Sequence, residues 1–200
     1  MRLLRRVRPT SLAVGLAATA LLVAGCGSEA PAEEAGGMEG MSAEQMASMN
    51  EPDATPADEV RRADLSAGEF TVLDTAPPGS DAVAGTAWVA QNKKGTTVTI
   101  RLTGLEPGET YAAHLHAETC ETDDGGPHFA FDPDGPEVPP NEVHLGFTAS
   151  DDGTGEATVT NDREVGDAAP AVVVHPADSM DNRLACADLQ SGPGGSGGRG

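Results

Sequence analysis

Residues 111–120 read Tyr-Ala-Ala-His-Leu-His-Ala-Glu-Thr-Cys, the stretch of the chain richest in groups that can do chemistry. In an extended strand successive side chains alternate faces, so His114 and His116 point the same way, roughly 7 Å apart. Two imidazoles on one face are half of a transition-metal site. The chain has only five histidines, all between His114 and His175. His128 lies in Gly126-Pro127-His128-Phe129, within a Gly-, Pro- and Asp-rich segment at 121–141. A loop of that length inside a compact domain is typically functional. His144 opens a short apolar run, and His175 ends the run Ala171-Val172-Val173-Val174. Strands and one loop can bring such residues together. An all-imidazole set without thiolate suits Cu(II) or Zn(II), and a square-planar arrangement favours copper.

Positioning these rings requires a β framework, and the pattern supplies one. Residues 97–102, Thr-Val-Thr-Ile-Arg-Leu, alternate cleanly, the mark of a half-buried strand. Further strands are expected at 70–73, 82–90, 111–116, 143–148, 156–160, 171–174 and 184–189. Turn signals separate several of them at Lys93-Lys94-Gly95, Glu106-Pro107-Gly108-Glu109 and Asp151-Asp152-Gly153. Aromatics are only 3% while Gly and Pro number 25 and 15, which suits a turn-rich β fold. The expectation is an all-β antiparallel sandwich or barrel of about eight strands at 67–189.

The ends read differently. Arg2, Arg5, Arg6 and Arg8 precede a short apolar run at 11–24, an export signal too short to span a membrane. Leu22-Val23-Ala24-Gly25-Cys26 resembles a bacterial lipobox. That resemblance implies removal of 1–25 and lipidation of Cys26, leaving a lipoprotein anchored in the membrane outside the cytoplasm, at the cell surface or the periplasmic face. Cleavage would remove four arginines and no acids, taking the formal charge from −20 to −24. Such a charge excludes nucleic acid as a partner.

Residues 26–66 have no aromatic and read as a flexible acidic linker, with a short helix possible at 56–65. Met38, Met41, Met46 and Met49 fall within it, and thioethers are soft ligands that select Cu(I). Residues 190–200 read as a disordered Gly/Ser tail. Cys120 and Cys186 remain as an even pair in an oxidising compartment, which reads as a disulfide, with metal ligation as the alternative.

His114-Leu115-His116, Gly126-Pro127-His128-Phe129, Val172-Val173-Val174-His175 and Arg183-Leu184-Ala185-Cys186 together resemble the signature stretches of copper/zinc superoxide dismutases, in that family's order. The resemblance implies a Greek-key β-barrel fold, copper at His114, His116, His128 and His175, a Cys120–Cys186 disulfide, and Arg183 as the guanidinium that guides superoxide. The zinc set is incomplete. His144 matches one zinc ligand, another histidine is missing between His128 and His144, and Phe147 stands where the family has aspartate. The segment between His175 and Arg183 is also short, as in the copper-only branch. The activity implied is copper-dependent dismutation of superoxide to O₂ and H₂O₂ at the outer cell surface. The alternative is a weak or inactive copper-buffering lipoprotein on the same fold. Without zinc another group must hold His128, and His144, Asp132 and Asp134 are the candidates.

Overall fold

The computed structural model describes residues 41–192, all within one compact unit. The expected export signal, Cys26, Met38 and residues 193–200 of the expected tail lie outside the described residues. No helix among the described residues is long and apolar enough to cross a membrane.

The described residues form the expected antiparallel β-sandwich, with ten strands among them in two five-stranded sheets that are not closed into a barrel. The first sheet runs β10 (Gln190–Ser191), β1 (Asp64–Glu69), β3 (Ala84–Asn92), β4 (Gly95–Thr103), β7 (Gly155–Asn161). The second runs β2 (Thr71–Val72), β9 (Ala185–Asp188), β8 (Ala171–Pro176), β5 (Thr110–His116), β6 (His144–Thr148). Alternation explains the layers. Val98, Ile100 and Leu102 on β4 and Ala113 and Leu115 on β5 meet in one core, together with Val172 and Val174 on β8. Phe147 is in this core too, its ring 5.6 Å from that of Tyr111, so it is packing and not a ligand. The Cys120–Cys186 disulfide is present and closes a separation of 66 residues.

The linker expectation is corrected for 41–66. This segment is a strap that crosses from one sheet to the other. It begins with helix α1 (Ala43–Ala47), whose Ser42 and Gln45 form a reciprocal capping box. A five-residue helix has no stability of its own, and packing holds this one. Met46 is buried against Ala112 of β5. Gly146 of β6 lets the helix backbone lie directly on the sheet, since a Cβ there would stand 1.7 Å from the Met46 carbonyl oxygen. The strap then pairs with the edge strand β7: Glu51 N–H donates to Thr158 O (2.8 Å) and Thr158 N–H to Asn50 Oδ1 (3.0 Å). It ends over the first sheet. Ala57 N–H donates to the buried Thr99 hydroxyl (2.9 Å), and Arg101 pairs with Asp58 (2.8 Å). A short 3-10 turn, Ala57–Glu59, stands where a helix at 56–65 was possible. Burying a side chain such as Met46 is worth about 1.5–3 kcal/mol, and the strap hides a sheet edge that would otherwise be open to pairing.

Two strands were not anticipated. β1 pairs with β3 over its whole length, and β10, at the start of the expected tail, pairs with β1.

Candidate metal centre

Because Ala113 and Leu115 face the core, Ala112, His114 and His116 face outward from the second sheet. Register extends that face sideways. His114 lies between His144 on β6 and Val173 on β8, and Ala112 lies beside His175. The fifth histidine arrives from the 117–143 segment. Beyond the end of β6, residues 127–129 take its place beside β5: Ala117 N–H donates to Pro127 O (3.0 Å), Phe129 N–H to Leu115 O (2.8 Å), and His128 bridges His116. The outer face is covered on one side by this segment and on the other by α1. His114, His116, His144 and His175 are consequently no more than 2% exposed.

The cover over His116 needs glycine. Gly125 adopts φ +104°, and a Cβ there would stand 2.7 Å from Val173 Cγ2 and 3.3 Å from His116 Nδ1. Asp123 and Asp124 before it are also left-handed, at φ 48° and 52°. Non-glycine residues held so at a site mark a turn fixed by its surroundings.

The ligand-bearing atoms of His114, His116, His128 and His175 all lie within 4.8 Å of one another. A metal–imidazole bond of about 2.0–2.1 Å places opposite nitrogens about 4 Å apart, so the group fits around one ion. Hydrogen bonds fix which nitrogens face inward. His116 Nδ1 donates to Gly126 O (3.0 Å) and His175 Nδ1 to Met180 O (2.8 Å). Carbonyls only accept, so Nε2 of each ring carries the free lone pair. His116 Nε2, His175 Nε2 and both nitrogens of His114 are buried without a protein partner. Buried polar atoms are nearly always paired, and one such orphan on each of His114, His116 and His175 can face a single ion; His144 Nδ1, outside that group, is unpartnered as well. Burial, then repulsion from the neighbouring rings, pushes His114 well below its ordinary pKa, His116 to about 3 and His175 to about 4. His114, His116 and His175 are therefore neutral and able to coordinate at any ordinary pH.

His128 is held by a residue that was not anticipated. Glu142 Oε2 accepts from His128 Nδ1 (2.9 Å) and from His144 Nε2 (2.7 Å). Burial alone would push this carboxyl up, but the bonds from His128 and His144 more than offset it and hold Glu142 at about 2. An ionised carboxylate only accepts, so His128 is protonated at Nδ1 and offers Nε2 to the centre. Asp132 and Asp134 do not hold it. Asp132 N–H and C=O bond to the Asn141 side chain, and Asp132 Oδ1 accepts from Asp134 N–H. His144 acts on His128 through Glu142. The alternation Glu142-Val143-His144 places the acid and the ring on one face, which is the signal that could have found it. His128, Glu142 and His144 form a second group able to hold a metal ion, although their facing atoms already bond to one another. Partners that orient a ligating histidine typically contribute 10–100-fold in metal affinity. Glu142→Leu is therefore expected to weaken metal binding by about that factor, read by competition with a chelator.

Arg183 lies at the mouth of the site. Its guanidinium donates to the carbonyls of Asp123 and Gly126, the latter at 2.9 Å. Gly126 O also fixes His116, so Arg183 clamps the turn that orients a ligand. Arg183, Glu142 and His128 line an open cavity of about 460 Å³. His128 is the ring that solvent reaches there, with 31% of its side chain exposed. A roomier cavity of about 800 Å³ lies beside the disulfide and touches none of the histidines. Comparison of the chain with protein-family models and with curated proteins gives no match.

Proposed function

We propose that the protein binds copper at His114, His116, His128 and His175 and dismutates superoxide to O₂ and H₂O₂, outside the cytoplasm on a lipid anchor at Cys26. The observation that supports this reading most is the convergence of unpartnered imidazole nitrogens beneath a cavity that exposes His128 beside Arg183. Held by these four rings, copper would supply the one-electron redox chemistry that dismutation needs. The residues supply the rest. His128 holds a proton at Nδ1, shared with Glu142 (2.9 Å), at the point where the cavity meets the cluster. Arg183 places a fixed positive charge beside that ring. Glu142 already orients His128, so zinc has no part in the proposal. Copper-loaded, zinc-free protein is expected to remove superoxide far faster than spontaneous decay, and His128→Ala to lose that acceleration. Tight copper binding with no acceleration would move the protein to copper buffering.

The role of Arg183 has its own test. The formal charge of −24 on the chain from Cys26 onward repels an anion, but over only about 8 Å at physiological ionic strength, so one guanidinium at the cavity can dominate locally. Arg183→Ala is expected to slow the reaction about tenfold at low salt and to abolish its decline with added salt. Arg183→Lys keeps the charge and should retain that salt dependence, although it loses the fork that clamps the turn. Identical salt profiles for the two variants would remove the steering role.

A further inference from the structure

The methionines of the strap have a destination. Met46 is buried against Ala112, and Met41, Met49 and Met180, half-buried, pack against the patch that these two form. All four methionines among the described residues meet in this one cluster, drawn from two segments more than 130 positions apart. The main core among the described residues contains none; it is built from Val, Leu, Ile, Phe, Tyr and Ala. Were methionine serving as general filler, the large core is where it would be needed. It is placed instead on the outward face of β5, where Ala112 precedes His114 by one strand repeat and pairs with His175.

One residue belongs to both groups. Met180 contributes its side chain to the methionine cluster and its carbonyl to His175 Nδ1 (2.8 Å). Met49 also lines the cavity that reaches Glu142 and His144 from the strap side. A set of thioethers therefore adjoins the imidazole cluster, reachable from solvent through its half-buried members. Thioethers favour Cu(I) over Cu(II) and over hard cations, whereas neutral imidazoles accept both copper states.

We propose that Met41, Met46, Met49 and Met180 form a thioether site for Cu(I) beside the histidine centre, where the ion is held before it passes to the imidazoles. The transfer is an exchange of neutral ligands around Cu(I) and requires neither oxidant nor reductant. The proposed transfer rests on the copper reading above; the thioether site itself can be tested apart from it.

The test is an anaerobic titration of the full chain with Cu(I) against a chromophoric Cu(I) chelator, with X-ray absorption at the copper edge. His116→Ala disables the histidine centre and leaves the methionines intact. This variant is expected to retain one Cu(I) per chain with sulfur neighbours. Adding Met41→Leu, Met49→Leu and Met180→Leu, swaps that nearly conserve volume, should abolish that binding. Met41→Leu and Met49→Leu alone in the otherwise native chain, which leave the Met180 support of His175 in place, should leave the Cu(II) electron paramagnetic resonance signal of the histidines unaltered. The exposed-side change Met180→Leu alone, which leaves the strap untouched, should weaken Cu(I) at least tenfold. Nitrogen-only scattering, or no retention by His116→Ala, overturns the thioether site and leaves the histidine centre standing. Sulfur-bound Cu(I) with no copper at the histidines would support the thioether site and overturn the function proposed above.

Discussion

Replacing both Cys120 and Cys186 with serine is expected to lower the stability of the protein by about 4 kcal/mol, the loop-closure entropy that a crosslink across 66 residues removes from the unfolded chain. At a urea dependence of about 2 kcal/mol per molar for a domain of this size, the unfolding midpoint should fall by about 2 M. The double variant avoids a free thiol that would dimerise. The effect should also reach the site. Cys186 packs with Val173 and Ala171 on the outer face of the second sheet, and Cys120 is further tied to β9 by its N–H bond to Asp188 (2.8 Å). Through Gly125 and Gly126 the same segment covers and orients His116. Metal affinity should therefore drop along with the midpoint. An unchanged urea midpoint would show that the bond adds nothing to the fold.

Much of the framework was visible in the chain because a half-buried strand must alternate. β4 and β5 announce themselves in Thr-Val-Thr-Ile-Arg-Leu and in the two histidines spaced by one residue. β1 did not, because Asp64–Glu69 has acids at both ends, a glycine, and a pattern mostly exposed or half-exposed. Its place is set by six backbone pairings with β3, which periodicity cannot register. The strap was hidden for a related reason. Segments poor in apolar residues ordinarily stay unfolded, but this one needs only Met46 and Ala57 as anchors and hydrogen bonds from Asn50 and Glu51 for the rest.

The site shows the same division. Five histidines stand out by scarcity, whereas Glu142 is one of 32 acidic residues. Only the fold shows that its carboxylate reaches two rings. Arg183 was legible by its offset from Cys186, but its attachment to the Asp123 and Gly126 carbonyls depends on a left-handed turn that no short motif encodes. The chemistry thus resides in residues the sequence displays, and the geometry that makes it usable resides in backbone contacts it does not.

The metal-free protein should be strongly acid-sensitive, and the histidine centre is the reason. His114, His116 and His175 are buried and mutually repulsive when charged, so the folded chain refuses protons that the unfolded chain accepts near pH 6.5. Above that pH the rings are neutral in both states and contribute no pH dependence. Below it the unfolded state binds more protons, so stability falls with pH by about 1.4 kcal/mol per ring per unit. The fall continues until the folded rings titrate, at about 4 for His175 and about 3 for His116. Glu142 adds loss in the same direction once pH drops below 4.5, since its folded value is about 2. Between pH 7 and 5.5 the three rings together should remove about 4 kcal/mol, a large part of the 5–15 kcal/mol a domain of this kind has. Urea midpoints of metal-free protein at the two pH values measure this directly. His116→Gln should reduce the loss by about a third, because one ring no longer titrates in the unfolded chain. A flat midpoint from pH 7 to 5.5 would mean that the rings accept protons in place, and so that the centre is not the closed set of neutral ligands on which the metal reading depends.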